Sequence, residues 1–277
     1  MRARACGKLI LCGEHAVVYN HPAIALPLEL YTTVEVEEGF GPLTVDHELW
    51  SPRHEIRMEE ALDHLFPKGN AEIQIRSELP VGVGLGSSAA LSVAVCRAIG
   101  LEGDALMEKA LELENIFHGD ASGLDIAVAA RGEALWYVKG KPLQPVPLPP
   151  CAIVVLDSGT AGDTKVLVQS VADRYDQLED TIEDIGALVH AARAVLEDPT
   201  SLGELLTENH GLLKQLGVST PALDQLVDLA LGAGAYGAKL SGAGGGGVVI
   251  ALTDDPDHIL KSAASAGVEA WLARSGS

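Results

Sequence analysis

The sequence is short of cysteine, of basic charge and of long apolar runs, and each shortage closes off a class of protein. Four cysteines, Cys6, Cys12, Cys96 and Cys151, occur in 277 residues, with no C-x-x-C pair or other metal-ligand spacing. That disfavours a zinc module and a disulfide framework and predicts small buried hydrophobes instead. Basic residues number 19 against 39 acidic, a formal charge of -20. Such a chain repels nucleic acid and anionic membrane, and no basic patch offsets the effect. It would also repel an anionic small molecule, so a site for one must be made locally positive by backbone N–H groups and a few placed lysines. No stretch is long and apolar enough to span a bilayer. The apolar run near the N-terminus is broken by Lys8 and Glu14, too soon for a signal peptide. A cytoplasmic protein with neither nucleic acid nor membrane as partner is expected. Internal repeats, low-complexity tracts, a G-x-x-x-x-G-K-[ST] loop and an H-E-x-x-H motif are also missing, which disfavours a P-loop enzyme and gives no zinc signature.

What is present is a chain with 47% hydrophobic residues, enough for a sizeable core. Ala5–Cys12 reads as a buried strand, Tyr31–Glu38 and Ala71–Ser77 alternate in strand fashion, and helices are predicted over Gly86–Ile99 and Asp104–His118. Strands followed by helices predict an α+β fold. The stretch PLQPVPLPP, Pro142–Pro150, resists helix and interior strand alike and marks the expected boundary between domains 1–149 and 150–277. Beyond it come a buried strand over Ala152–Leu156 and one or two acidic helices between Lys165 and Glu197. Ser201 with Glu204 forms a capping-box pattern, and Thr220 followed by Pro221 opens another helix. Strands are expected around Gly237–Leu240 and Val248–Leu252.

The chemistry-bearing segments are few. In PVGVGLGSSAA, Pro80–Ala90, Gly82, Gly84 and Gly86 precede Ser87, Ser88 and a small-residue helix. Glycines let backbone N–H groups converge on an anion, and the helix that follows points its positive end there. The same pattern also suits a tight turn into a closely packed helix. KLSGAGGGG, Lys239–Gly247, joins two apolar strands and reads either as a loop folded against a ligand or as a flexible connection. Glu114 lies in phase with Met107, Ala110, Leu111 and Phe117, so it points inward and must be ion-paired or bind a cation such as magnesium. Asp125 ends Ser122-Gly-Leu-Asp125, a capping-box pattern that is compatible with catalysis, because a helix N-terminus keeps a carboxylate ionised. Lys8 interrupts an apolar strand; it either reaches solvent from an edge or serves a buried partner, for which Asp125 is the candidate. Gly13-Glu14-His15 follows that strand as an ordinary turn or as a polar-substrate contact.

Together these segments resemble the GHMP superfamily of small-molecule kinases. GKLILCGEHAVVY (Gly7–Tyr19) and PAIALPL (Pro22–Leu28) are similar in particular to the mevalonate kinase family. His15 makes that distinction, since galactokinases continue toward Thr-Asp-Tyr and phosphomevalonate kinases typically carry Gly-Glu-Tyr. PVGVGLGSSAA and KLSGAGGGG resemble the superfamily's phosphate loop and C-terminal glycine loop, and HGDASGLD its HG-x-P-S-G-x-D segment. DSGTAGDTKVLV and NHGLLKQLGVSTPALD match more weakly.

The resemblance implies an N-terminal domain like ribosomal protein S5 domain 2 and a ferredoxin-like C-terminal domain. It implies ATP, Mg2+ and mevalonate as ligands, and is compatible with a homodimer. Asp125 is expected as the catalytic carboxylate with Lys8 as its activating partner, and Ser88 and Glu114 as magnesium ligands. Gly82, Gly84, Leu85, Gly86, Ser87 and Ser88 would hold the triphosphate. Glu14, His15, Ser122, Thr164, Gly242 and Ala243 would lie with substrate. Three positions depart from the pattern: Asp120, Ala121 in place of proline, and Ile126 in place of asparagine. The rival readings are another GHMP kinase, acting on phosphomevalonate or a sugar, and a catalytically silent ligand sensor. A substrate panel separates the former, and tight binding without ADP release would mark the latter.

Overall fold

A computed structural model describes residues 1–38, 43–46, 71–118 and 121–274. In chain order the strands are β1 (Arg2–Cys12), β2 (Ala23–Glu38), β3 (Leu43–Asp46), β4 (Ala71–Ser77), β5 (Leu135–Tyr137), β6 (Gln144–Pro145), β7 (Ala152–Asp157), β8 (Gly237–Ser241), β9 (Val248–Thr253) and β10 (Ala270–Ala273). The α-helices are α1 (Ser87–Ala98), α2 (Gly103–His118), α3 (Leu124–Arg131), α4 (Thr164–Ala172), α5 (Tyr175–Ala194), α6 (Pro199–Gln215), α7 (Pro221–Gly232) and α8 (Pro256–Ser265). The fold is α+β. No helix among the described residues is long and apolar enough to cross a membrane.

The chain divides into two compact units. One comprises Met1–Lys8, Pro27–Val81 and Leu85–Gly132; the other comprises Leu9–Leu26, Gly82–Gly84 and Glu133–Ser277. In the first, the later part of β2 pairs antiparallel with β4, which pairs parallel with β3. Helices α1, α2 and α3 pack together. The small residues of α1 explain how closely they do so: Ala89–Cys96 and Ala98 are all buried. On α2 the buried stripe runs through Leu106, Ala110, Leu113 and Phe117, while Met107 and Leu111 are only partly covered. Glu114 shares the buried side all the same.

In the second unit, β7–β10 form an antiparallel sheet in the order β10-β7-β9-β8. Strand, helices, strand, strand, helix, strand with that order is the ferredoxin-like arrangement. Its core is aliphatic, built from Val154, Leu156, Ile182, Ile185, Leu213, Leu240 and Val249. Ala23–Ala25 of β2 pair with β5, which pairs with β6. The stretch from Thr164 to Glu197 holds a short helix, α4, and one long helix, α5, and Arg174 at the break between them donates to the carbonyls of Ser170 and Leu216.

Several boundaries differ from the sequence reading. β2 begins eight residues before Tyr31, hidden in the sequence by Pro27. That proline lies beyond Ala25, the last residue paired to β5, and before Thr32, the first paired to β4, so on that side it removes no ladder bond. Helix α6 opens at Asp198, not Ser201: the Asp198 carboxylate accepts from the Thr200 and Ser201 N–H groups, and Pro199 takes the first position. Thr220 caps α7 as expected, accepting from Leu223 N–H at 3.3 Å. Cys6, Cys12 and Cys96 are buried and unpaired, but Cys151 is only partly buried.

One close approach fixes α6 on the sheet. A Cβ on Gly203 would lie 2.4 Å from the Tyr236 carbonyl carbon, and one on Gly237 would lie 1.8 Å from the Gly203 oxygen. On an exposed helix, Gly203→Ala would stabilise by about 1 kcal/mol. Here it is expected to destabilise by about 1–3 kcal/mol through overpacking, measurable as a lower urea midpoint.

Candidate active site

The first unit holds Lys8, Leu85, Gly86, Ser87, Ser88, Glu114, Ser122 and Asp125, and four of them, Lys8, Asp125, Ser88 and Glu114, come together. Lys8 is on β1 with a side chain only 3% exposed, and its Nζ lies 3.1 Å from Asp125 Oδ2. It therefore does not reach solvent from an edge. Asp125 sits in the first turn of α3, whose N-cap is Gly123, and its own side chain remains 30% exposed. Ser122 Oγ accepts from Leu124 N–H rather than capping from the N-cap position. Ser88, in the first turn of α1, donates to Glu114 Oε1 at 2.9 Å. Burial pushes the Glu114 carboxyl up to about 8, the neighbouring Asp125 charge adds to the rise, and the Ser88 hydroxyl and Lys8 pull it back. Two carboxylates and one lysine thus share a small, largely buried region.

Leu85, Gly86 and Ser87 lead into the same helix. Lys8 N–H donates to the Leu85 carbonyl at 3.0 Å, and Gly86 is the α1 N-cap with φ 77°. A Cβ on Gly86 would lie 2.9 Å from Lys8 Cγ, so the glycine lets the loop lie against the lysine. The first N–H groups of α1 lack intrahelical partners by construction and open beside the lysine strand.

The departure at Ala121 has a structural counterpart. Its N–H donates to Asn115 Oδ1 at 2.9 Å, a bond that the proline of the family pattern cannot make. Ile126 is buried in α3, and Asp120 lies outside the described residues.

The second unit gathers most of the rest. Gly82 and Gly84 belong to this unit, and Gly84 lies against the glycine loop that follows β8: a Cβ on Gly84 would be 3.0 Å from the Ser241 oxygen, and one on Gly242 would be 3.3 Å from Gly84 Cα. The segment before α4 joins the same loop, with Ser158 N–H donating to the Gly247 carbonyl at 2.9 Å. Thr164 opens α4, which is capped by Asp163. The KLSGAGGGG loop is thus bonded on both sides.

Glu14 and His15 form a sharp turn after β1. His15 has φ 61° and ψ -49°, sparsely populated for a residue with a side chain and costing about 1–3 kcal/mol. Its Nε2 is 3.0 Å from the Ala243 carbonyl, which can only accept, so Nε2 carries the proton and Nδ1 is the acceptor. Burial lowers the His15 pKa, with the Ala243 bond opposing the shift. The Glu14 carboxylate pairs with Lys239, and both side chains are essentially sealed from solvent. The sequence reading missed Lys239 as a side chain. The available signal was the one that singled out Lys8, a lysine within an apolar strand.

Also missed was His210 on α6. Its Nδ1 accepts from Leu240 N–H, and its Nε2 donates to Asp224 Oδ1 at 3.1 Å. Asp224 also receives Ser219 and Lys214. Burial lowers the His210 pKa despite Asp224. With folded pKa values below the unfolded 6.5 at His15 and His210, the unfolded chain binds more protons beneath that pH. Their contribution to stability is full above pH 6.5 and falls as pH drops through 6.5 toward the folded values. Glu114, whose raised pKa makes the folded chain hold the extra proton, works in the opposite direction over the same range, so the expectation is a difference: from pH 7 to 5.5 the ligand-free His210→Gln variant should lose less thermal stability than wild type.

Comparison with known proteins agrees across the chain. The model for the GHMP kinases N terminal domain matches residues 56–133, and that for GHMP kinases C terminal matches residues 185–269. Mevalonate kinase of Pyrococcus horikoshii is 38% identical, with 90% of this chain and 88% of that protein aligned. Mevalonate kinase of Pyrococcus abyssi is 36% identical, with the same two shares. The crystal structure of L. major mevalonate kinase in complex with R-mevalonate superposes with a TM-score of 0.84 at 27% identity, covering 100% of this chain and 97% of that one. The chain therefore belongs to the GHMP kinases, and over about nine-tenths of its length it is similar to the mevalonate kinases of the two Pyrococcus species.

Proposed function

We propose that the protein transfers the γ-phosphate of ATP to the terminal hydroxyl of mevalonate, giving 5-phosphomevalonate for isoprenoid precursor synthesis in the cytoplasm. The observation that carries the chemistry is the Lys8–Asp125 pair next to Ser88 and Glu114. The likeness to mevalonate kinases over about nine-tenths of the chain supports the acceptor.

In the proposed reaction the acceptor oxygen attacks the γ-phosphorus, the bond to the β,γ-bridging oxygen breaks, and ADP leaves. The acceptor proton passes to the Asp125 carboxylate, which is open enough to meet a ligand. Lys8, held behind it, offsets negative charge on the acceptor and the transferring group. Little covalent work falls to the protein, so positioning and charge neutralisation dominate. The loop Gly82–Ser88 supplies backbone N–H groups to the phosphates. His15, Ser122, Thr164, Gly242 and Ala243 are assigned to the acceptor side, His15 through the acceptor atom Nδ1.

Magnesium fits the donors present. No group of three His, Cys, Asp or Glu side chains suited to a metal occurs among the described residues, but magnesium needs only one or two protein oxygens when phosphates supply the rest. Ser88 and Glu114 provide a hydroxyl and a carboxylate 2.9 Å apart. A divalent cation would also favour the ionised Glu114 carboxyl, which burial first and the Asp125 charge second push up to about 8. When bound, the ion neutralises phosphate oxygens and fixes their orientation.

The test is magnesium-dependent ADP release with mevalonate, phosphomevalonate, galactose and homoserine in parallel. Turnover confined to mevalonate is expected; turnover on another alcohol alone would replace the acceptor, and ATP binding without turnover would favour a sensor. Asp125→Asn and Lys8→Met are each expected to lower kcat by about a hundredfold or more while the protein stays folded; a near-wild-type rate refutes the assignment. Glu114→Gln should shift the magnesium titration to higher concentration, and an unmoved curve removes Glu114 as a ligand.

A further inference from the structure

The ion pair between Glu14 and Lys239 is buried more completely than the one at Asp125, and it links residues 225 apart in sequence. Lys239 has no exposed surface, Glu14 has 1%, and Lys239 Nζ also donates to the Leu240 carbonyl. A carboxylate so enclosed is poorly placed to meet a substrate. Its backbone, however, continues directly into His15, whose φ of 61° is held against local preference. A strained residue persists only where its surroundings over-determine it.

Three ties within the second unit do this. Ser241 Oγ accepts from Ile10 N–H at 3.0 Å and stands 3.1 Å from the Ile10 carbonyl, aligning the end of β1 with β8. His15 Nε2 donates to the Ala243 carbonyl. As the third tie, Lys239 grips Glu14. Of the three, the ion pair is the strongest and the least able to exchange with water.

We infer that Lys239 is a positioning residue for the acceptor site: through the sealed carboxylate of Glu14 it sets the Gly13–His15 turn on the glycine loop and so fixes His15 in its binding conformation. Glu14 then serves the acceptor indirectly, as the anchor of His15. This rests on the reading above for the assignment of His15 to the acceptor.

Lys239→Gln and Glu14→Gln each strand one member of the pair, whereas Glu14→Gln/Lys239→Gln replaces it with two amides that can bond to each other. Each single variant is expected to raise the KM of the acceptor alcohol about tenfold with the KM of ATP little changed, and the double variant to return to within about threefold of wild type. Lys239→Arg, which keeps charge and donors, should recover part of the loss of Lys239→Gln. Two results overturn the inference: single variants that lose thermal stability with acceptor KM unmoved, or a double variant that folds but retains the raised KM of Glu14→Gln. The latter means that Glu14 touches the acceptor itself. A second readout needs no turnover. Amide hydrogen exchange in Lys239→Gln should quicken at Val17 and Val18, whose N–H groups bond within this turn, with β7 amides protected as in wild type. Unchanged exchange at the turn overturns the inference even if the acceptor proves to be another alcohol, whereas failure of all alcohols in wild type counts only against the proposed function.

Discussion

The lysine at position 8 is the constraint around which the first unit is arranged. It sits in the buried part of a strand, where an ammonium without a partner would be expelled or deprotonated, so the fold must deliver a carboxylate to it. That carboxylate comes from the first turn of α3, which places the helix start against β1. The glycine at the start of α1 is there because Lys8 occupies the space where a side chain would go. The hydroxyl of Ser88 and the buried carboxyl of Glu114 complete the same polar region on α1 and α2. Three helices that bury mostly alanine, valine and leucine therefore carry one polar seam, and it lies where their starts and inner faces meet the lysine strand.

A chain of charge -20 cannot attract a triphosphate through its overall field. What it can do is confine positive potential to small places. The N–H groups opening α1 are one such place, and they are fixed partial charges that cost no reorganisation. The two buried lysines are each matched by a carboxylate, Lys8 by Asp125 and Lys239 by Glu14. Attraction for an anion on this arrangement is short in range and strict in geometry, which suits a phosphate loop better than a diffuse basic surface would.

The sequence made legible those features that depend on neighbours along the chain. Thr220-Pro221 announced its helix because capping is a four-residue matter, and the small residues after Gly86 announced a closely packed one. The end of the chain was equally legible in principle, since Asp255-Pro256 opens α8 with the same grammar. Pro27 concealed half of β2 because its tolerance depends on which strand lies alongside, something no local rule contains. Asp198 rather than Ser201 starts α6 because an aspartate able to reach two N–H groups outcompetes a serine three residues later, which itself donates to that aspartate. At the site, an apolar strand interrupted by lysine identified Lys8, and the expected partner Asp125 is the residue beside it. The same oddity at Lys239 was masked by the glycines that follow it, and its partner could not be read across 225 residues. The bond from Ala121 to Asn115 was hidden for a related reason: it replaces proline's rigidity with a hydrogen bond that depends on helix phase.

The two buried lysines show how the same residue type, in the same kind of strand position, can serve different ends. Both sit among aliphatic neighbours and both face a carboxylate, so the lysine itself does not decide the role. The partner does. Asp125 retains 30% of its side-chain surface and can exchange a proton with a ligand while Lys8 stays behind it. Glu14 retains 1%, and any proton it exchanged would have to pass through packed protein. An ion pair with one open member is suited to the proposed chemistry, because its charge balance can change when a ligand arrives. An ion pair with both members closed resists such change, and that resistance is what holding His15 at a positive φ requires.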